Sequence, residues 1–182
     1  MAWVLYYIVV CYTIGHMIYT KENLIASIEN EFRIFKHLWE KIPAGTEGYR
    51  PTEGQRTTLE LLQYLSSIFA NATHVILQGS TDAYASAPCD ASQTTMENFP
   101  AKMDEQLSIW KGLLDQFDEV ELAKLVNLYN MGEMTKGRYL VENLLKWAAA
   151  YKMQLFLYCK ASGNSSINTA NLWGGVDMPM NQ

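Results

Sequence analysis

The sequence predicts an all-α domain built as a four-helix bundle. Four long segments carry apolar residues at steps of three and four, which is the spacing of one face of an α-helix. Between them there is little of the alternation of apolar and polar residues that is typical of strands. The chain has 182 residues, of which 49% are hydrophobic, enough to bury one substantial core. We therefore expect a single domain in which helices pack on helices around large apolar and aromatic side chains.

An uncharged stretch precedes the first predicted helix. Residues 1–20 contain no Asp, Glu, Lys or Arg. They lack the charged start and the small-residue cleavage site of a signal peptide, and polar residues interrupt them too early for a spanning helix. We interpret residues 1–16 as an apolar N-terminal extension, either upstream of the native domain or packed against it, and residues 17–182 as the domain. Secretion or a membrane anchor formed by residues 1–20 is the alternative.

The first helix is predicted over residues 21–42, and a polar loop rich in Pro and Gly is predicted over residues 43–55. The second helix is predicted to begin at Thr57. Thr57 and Glu60 have the spacing of a capping box, in which each side chain accepts a hydrogen bond from a backbone N–H that the helix start leaves free. The predicted buried faces are Leu24, Ile28, Phe32, Phe35, Leu38, Trp39 and Ile42 on the first helix, and Leu61, Leu62, Leu65, Ile68, Phe69 and Ala72 on the second.

The middle of the chain is less regular. Residues 79–94 show no apolar period and predict a loop or a broken helix joint. A third helix is predicted over residues 95–117, followed by one or two further helical turns in residues 118–128 and a linker over residues 130–135. The third helix is expected to bury Met103, Leu107, Trp110, Leu114 and Phe117.

The last long helix is predicted over residues 135–161, with Gly163 as its C-cap glycine. Its predicted face is Leu140, Leu144, Trp147, Ala148, Tyr151, Leu155 and Tyr158. We expect residues 164–182 to cross the bundle as an ordered C-terminal strap. Its predicted anchors are Ile167, Leu172, Trp173 and Val176.

Composition restricts the partners of this chain. The net charge is -5 and the sequence pI is about 5.2, and Lys and Arg are scattered, so we expect no binding to nucleic acid. Cys11, Cys89 and Cys159 are odd in number and far apart. This spacing indicates neither a disulfide framework nor a metal or redox pair, and it favours a reducing cytoplasm.

Few residues are suited to chemistry. Helical bundles build metal sites from inward-facing His, Asp and Glu on facing helices, but no two of His16, His37 and His74 lie three or four residues apart. An acidic cluster suggests either a divalent-cation site or a solvated helix end, and we favour the helix end. Its members are Asp115, Asp118, Glu119 and Glu121. The motifs GxSxG, SxxK, GxGxxG and GxxxxGK[ST] do not occur, so no catalytic residue and no cofactor is predicted.

Three stretches carry a resemblance to a known family. They are YRPTEGQRTTLELLQYL at 49–65, NLLKWAAAYKMQLFLYCKASG at 143–163 and NTANLWGGVDMP at 168–179. In these stretches and in its helix order the chain resembles the DinB-like four-helix bundles, a group that includes bacterial metal-dependent thiol transferases and hydrolases. The similarity extends over about residues 17–180 and implies a DinB-like bundle.

The resemblance also implies where a metal would be bound. Metal-binding members carry a His on helix two and an HxxxH pair on the last helix, and these positions fall on Tyr64, Trp147 and Tyr151. Gln154 matches a glutamine that commonly follows the pair. All three ligand positions are therefore aromatic here, and neither an indole nor a neutral phenol replaces imidazole at a divalent site.

Two interpretations of these aromatic residues remain open. The rings fill the vacated metal cavity as a repacked core, or they line a pocket in which the Tyr64 and Tyr151 hydroxyls and the Gln154 amide bind a small ligand. We expect a metal-free, non-enzymatic protein with a binding or structural role. The resemblance also implies a homodimer formed through a helix face, and symmetric pairs are the commonest oligomers. The alternative is a metal-dependent hydrolase or thiol transferase that uses non-standard ligands, such as Glu53, Glu60 or Glu142 with a histidine. A membrane-associated protein anchored by residues 1–20 is a further alternative.

Overall fold

The computed structural model describes residues 19–178, which are mostly α-helical. The predicted extension at residues 1–16 and the predicted domain start at residue 17 lie outside the described residues. In chain order the elements are α1 (Lys21–Trp39), α2 (Thr58–Leu65), α3 (Ile68–Gln78), α4 (Phe99–Leu114), α5 (Glu119–Ala123), β1 (Leu125–Asn127), β2 (Glu133–Thr135) and α6 (Lys136–Ala161). Two 3₁₀ turns at Thr81–Ser86 and Ala91–Gln93 precede α4, and a π-helical turn at Ala170–Gly174 follows α6.

The long helices form the predicted bundle. Helix α1 packs along α6 and α4, and α3 packs on α4 and α6. Phe32 of α1 meets Phe69 of α3 edge to face, with ring centroids 5.1 Å apart. Trp110 of α4 is also fully buried, and all three rings belong to one continuous apolar core. The prediction of an all-α four-helix bundle is confirmed.

Helix α1 begins and ends close to its predicted limits. Thr20 caps its start, because its hydroxyl accepts from Asn23 N at 3.2 Å and the Asn23 side chain accepts from Thr20 N at 3.0 Å. The helix ends at Trp39, three residues before the predicted end, and the Trp39 indole donates to the Met96 carbonyl at 2.6 Å. Its predicted face is buried from Leu24 to Leu38.

The predicted second helix is divided into two. The capping box is present: Glu60 N donates to the Thr57 hydroxyl at 3.1 Å, and Thr57 N donates to the Glu60 carboxylate at 2.6 Å. The helical hydrogen bonds are interrupted at Ser66 and Ser67, between α2 and α3. The predicted apolar face is buried on both sides of this break, so its period was right although the helix is not continuous.

The predicted third helix is shorter than expected. It spans Phe99–Leu114 instead of residues 95–117, and Leu107 of its predicted face is only partly buried. Residues 79–94 contain the two 3₁₀ turns, in agreement with a broken joint. One helical turn, α5, follows α4 as predicted.

The predicted linker at residues 130–135 was wrong. Strand β2 lies there and pairs antiparallel with β1, with Val126 opposite Met134. Strand β1 in turn occupies the end of the segment 118–128, where only helical turns were predicted. The turn between the two strands places Tyr129 and Asn130 in the left-handed region, each with φ 56°. Strands of three residues are too short to show an alternating pattern, which explains why the sequence did not reveal this hairpin.

The C-terminal strap crosses α1 with fewer anchors than predicted. Gly163 has φ 134°, and Asn164 N donates back to the Cys159 carbonyl at 2.9 Å, which is the glycine-terminated helix end that was predicted. Ile167 and Leu172 are buried as expected. Trp173 and Val176 were wrongly predicted as anchors, since they are 58% and 45% exposed. Arg33 of α1 instead holds the strap by donating to the carbonyls of Gly174 and Gly175 at 2.7 and 3.0 Å.

Between residues 19 and 178, none of the helices combines the length and the apolarity that crossing a bilayer requires.

Candidate functional site

One face of α6 carries a row of large polar and aromatic side chains. Trp147, Tyr151, Gln154 and Tyr158 follow one another at steps of four, three and four, so the helix places them on one side. We call these four residues the aromatic stripe. The first three are partly exposed and Tyr158 is buried, so the stripe lies at the surface edge of the bundle.

Tyr151 meets Tyr64 of α2 near the centre of the stripe. Their ring centroids are 4.8 Å apart with an interplanar angle of 58°, and the Tyr151 hydroxyl donates to the Tyr64 hydroxyl at 3.3 Å. Burial, together with this hydrogen bond, raises the pKa of Tyr64 above its ordinary value. The Tyr64 hydroxyl therefore keeps its proton at neutral pH.

Arg56, just before α2, lies against the Tyr64 ring. The guanidinium carbon of Arg56 lies 4.1 Å from the centroid of the Tyr64 ring, a cation–π arrangement. The backbone of Arg56 is fixed by the Tyr158 hydroxyl, which donates to the Arg56 carbonyl at 2.9 Å. Gln154 in turn donates to the Tyr158 hydroxyl at 2.8 Å. The stripe therefore positions the chain segment that carries Arg56.

Trp147 at the start of the stripe packs on the β-hairpin. Its ring meets Tyr129 of the hairpin turn edge to face, with centroids 6.0 Å apart. The Tyr129 hydroxyl is 3.1 Å from the hydroxyl of Tyr84. Burial and this hydrogen bond raise the pKa of Tyr129 above its ordinary value. A second pair of tyrosines in hydroxyl contact thus lies on the hairpin side of the site.

A groove of about 760 Å³ runs beside the other end of the stripe. It lies between α6 and the loop before α2, and its wall includes Tyr49, Pro51, Gln154, Leu157 and Tyr158. The Tyr49 ring stands edge-on to the Tyr158 ring, with centroids 5.6 Å apart. Lys160 is the charged residue of the lining, which contains no Asp or Glu among the described residues.

The structure brings together some of the predicted site residues. Tyr64 and Tyr151 are in direct contact, and Gln154 lies on the same face of α6. Trp147 was expected to face the two tyrosines, but its ring packs on Tyr129. The rings also lie at the edge of the bundle and not in its middle, because the stripe faces the loop before α2 and the hairpin.

Sequence reasoning missed Arg56 and Tyr129. Arg56 lies in a polar loop and gives no sequence signal of its position over a ring. Tyr129 precedes Asn130, a residue type that tolerates left-handed backbone and therefore marks turns. That signal predicts a turn here, but it does not predict that the Tyr129 ring reaches Trp147.

Tyr64, Trp147 and Tyr151, at the ligand positions that the resemblance implies, do not fit a metal ion. An indole has no lone pair to offer, and a phenol that keeps its proton is a poor ligand. Elsewhere, His37 Nε2 lies 3.0 Å from the Asn171 side-chain nitrogen, and His74 Nε2 lies 3.2 Å from the Ser86 hydroxyl. Between residues 19 and 178, no cluster of three or more His, Cys, Asp or Glu side chains is arranged to hold an ion.

Two of the four acidic candidates, Asp118 and Glu121, are engaged in local contacts. Asp118 caps α5 through Glu121 N at 2.7 Å, and the Glu121 carboxylate pairs with Lys124 and Lys136. Asp115 is exposed at the end of α4. These contacts agree with the interpretation of the cluster as a helix end.

Comparison with known proteins identifies the fold. The structure is similar to the crystal structure of a DinB-like protein, YjoA, from Bacillus subtilis, with a TM-score of 0.64. The match has 19% sequence identity and covers 80% of this chain and 95% of that chain. No family model matches the sequence, and no curated protein matches it. The likeness confirms the predicted DinB-like fold.

Proposed function

We propose that this protein binds a small organic ligand, without a metal ion and without catalysing a reaction on the ligand. Its fold is DinB-like, and aromatic residues occupy the ligand positions that the resemblance implies. The ligand is held at the aromatic stripe and in the groove beside it. The contact between Tyr64 and Tyr151 carries this proposal, because two facing helices present a pair of ring faces and a pair of hydroxyl groups at one place.

The partial exposure of the residues at the stripe favours a ligand pocket and argues against a repacked core. A ring that only fills a vacated cavity is expected to be sealed from solvent, as Phe69 and Trp110 are. Tyr64, Tyr151 and Gln154 are instead partly exposed. Ligand sites commonly combine such apolar ring surface with a few polar groups that fix the orientation of the ligand.

The neighbouring groove supports the same proposal. Its volume of about 760 Å³ lies within the range of about 300–1,000 Å³ that is usual for small-molecule sites. Gln154 belongs to both the stripe and the groove wall. Its amide therefore offers a polar contact to a ligand that extends from the tyrosine pair into the groove.

A fragment screen by thermal shift and calorimetry tests the proposal. We expect at least one fragment that stabilises the protein, and we expect its effect to vanish in Tyr151→Ala while the helical circular dichroism is retained. Tyr19→Ala is the matched control, since Tyr19 is a partly buried tyrosine at the start of α1 and should leave binding unchanged. Fragments that bind equally well to Tyr151→Ala contradict a site at the stripe.

Metal content gives a second test. Protein purified without chelator is expected to contain no stoichiometric zinc or nickel. A near-stoichiometric metal that is lost in His37→Ala or His74→Ala would instead support the metal-dependent alternative. The triple variant Tyr64→His, Trp147→His and Tyr151→His is expected to gain affinity for zinc that the unaltered protein lacks, because it restores three imidazoles at the ligand positions.

A further inference from the structure

The chemical class of the ligand follows from the donors that surround the tyrosine pair, and this step rests on the proposed function. We infer that the ligand is a small organic carboxylate, whose charged group is bound by Arg56 and the Tyr64 hydroxyl and whose apolar body lies on the stripe and in the groove.

Arg56 has unused donors for an anion. The guanidinium carbon lies 4.1 Å from the centroid of the Tyr64 ring, and none of the hydrogen bonds among residues 19–178 uses a guanidinium N–H of Arg56. Among residues 19–178, this guanidinium pairs with no carboxylate, and its side chain is exposed. A planar fork of free N–H groups matches the two oxygens of a carboxylate.

The position of Arg56 is fixed before any ligand binds. Tyr158 holds its carbonyl at 2.9 Å, and Gln154 holds the Tyr158 hydroxyl at 2.8 Å. The guanidinium itself lies 4.1 Å from the centroid of the Tyr64 ring. Less conformational freedom is therefore lost when a ligand is bound than at a free surface arginine.

Tyr64 supplies a second donor beside Arg56. Its hydroxyl accepts from Tyr151 at 3.3 Å, and within residues 19–178 its own hydrogen has no acceptor. A hydroxyl that accepts from one phenol and keeps its own proton is a donor to an incoming oxygen. The Arg56 guanidinium and the Tyr64 hydroxyl are therefore both at the Tyr64 ring, the guanidinium over its face and the hydroxyl at its edge.

The charges of the groove lining do not oppose an anion. The groove lining contains Lys160 and no carboxylate among the described residues, although the chain as a whole carries a net charge of -5. Glu60 lies near Arg56 and stays ionised, because the hydrogen bond that its carboxylate accepts from Thr57 N at 2.6 Å lowers its pKa, but it is not part of the groove lining. An acid entering the groove is therefore not met by a free carboxylate of its lining.

Calorimetry with matched probes tests the inference. The probes are 2-naphthoate, phenylacetate and hexanoate, each compared with its primary amide, which keeps the body and removes the charge. We expect at least one acid to bind about tenfold or more tightly than its amide. Arg56→Gln should abolish this preference, Arg56→Lys should restore part of it, and Tyr64→Phe should weaken acid binding while the ring and the fold are kept.

Arg50→Gln is the matched control. Arg50 lies in the same loop, is exposed and donates to the Glu53 carbonyl, so its loss should leave the preference for the acid unchanged. An equal loss in Arg50→Gln and Arg56→Gln would show diffuse charge attraction and overturn the inference.

The outcomes separate the two proposals. If an acid and its amide bind with equal affinity and Tyr151→Ala abolishes both, the carboxylate inference is wrong and the binding site stands. If acid binding is unaffected by Tyr151→Ala, the site itself is wrong. If none of the three acids binds, the carboxylate inference is overturned, and the fragment screen decides the proposed function independently.

Discussion

The side-chain amide of Gln106 donates to the backbone carbonyl of Leu65 across 2.8 Å, at the residue where α2 ends. The same amide accepts through Oε1 from Phe69 N at 2.9 Å and Ala70 N at 3.3 Å, in the first turn of α3. Gln106 is fully buried. One side chain on α4 thus binds backbone groups on both sides of the break between α2 and α3.

Replacing Gln106 with Leu should therefore destabilise the protein strongly. Leu has a similar volume but leaves one carbonyl and two N–H groups buried without partners, and we expect a loss of about 2–4 kcal/mol in the free energy of unfolding. Urea denaturation measures this loss. The control is Gln116→Leu, an exposed glutamine beyond the end of α4, which should change stability by no more than about 0.5 kcal/mol. Equal effects of the two substitutions would contradict this role of Gln106.

The break also shows why helix faces were predictable and helix continuity was not. The apolar period of α2 and α3 remains in phase from Leu61 to Ala72, because burial selects the same face on both sides of the break. The partner that satisfies the interrupted backbone is Gln106, 41 residues along the chain from Leu65. A local pattern carries no information about such a distant hydrogen bond.

At the candidate site too, some residues could be predicted from the sequence and others could not. The helical spacing of Trp147, Tyr151 and Gln154 gave their common face on α6, and the family resemblance gave Tyr64 as the facing position. Arg56 and Tyr129 reach the site from a loop and a hairpin turn, whose conformations depend on tertiary contacts. Their places could not be predicted from periodicity, which describes only regular helices and strands.

Tyr139 controls the hairpin turn that carries Tyr129. The buried Tyr139 hydroxyl accepts from Leu128 N at 2.9 Å, and the Leu128 and Gly132 carbonyls lie 2.9 and 3.0 Å from it. Tyr139→Phe should cost about 1–3 kcal/mol, because it removes these hydrogen bonds inside the protein. Amide hydrogen exchange should accelerate at Leu128 and leave α1 unchanged. Protection at Leu128 that survives the substitution would show that the turn does not depend on Tyr139.

Lys152 and Glu31 form a buried ion pair between α6 and α1. The Lys152 ammonium lies 2.8 and 2.7 Å from the two carboxylate oxygens, its side chain is 2% exposed, and it also lies 4.7 Å from the Trp173 ring centroid. Lys152→Met leaves the largely buried Glu31 without its counter-charge, so we expect a loss of about 3 kcal/mol in unfolding free energy.

A double substitution distinguishes the unpaired charge from lost packing at this site. Lys152→Met with Glu31→Leu should recover most of the lost stability, because no uncompensated charge remains. The exposed pair of Lys102 and Glu105, 2.7 Å apart, is the control, and Lys102→Met should cost at most about 1 kcal/mol. A double variant as unstable as Lys152→Met alone would show that packing, and not charge, determines the effect.

Glu142 should make stability depend on acid pH. Lys146 and Arg138 donate to its carboxylate at 2.7 and 2.5 Å and lower its pKa from 4.5 to about 2. Because the folded-state pKa is depressed, the contribution of Glu142 is complete above pH 4.5 and is lost as the pH falls toward 2. Urea unfolding of the unaltered protein and of Glu142→Gln between pH 7 and pH 2 should therefore give a difference that is largest at neutral pH and shrinks below pH 4.5. In a background carrying Arg138→Met and Lys146→Met, the same substitution should have a nearly constant effect, and an unchanged pH dependence there would assign the acid sensitivity to other carboxylates.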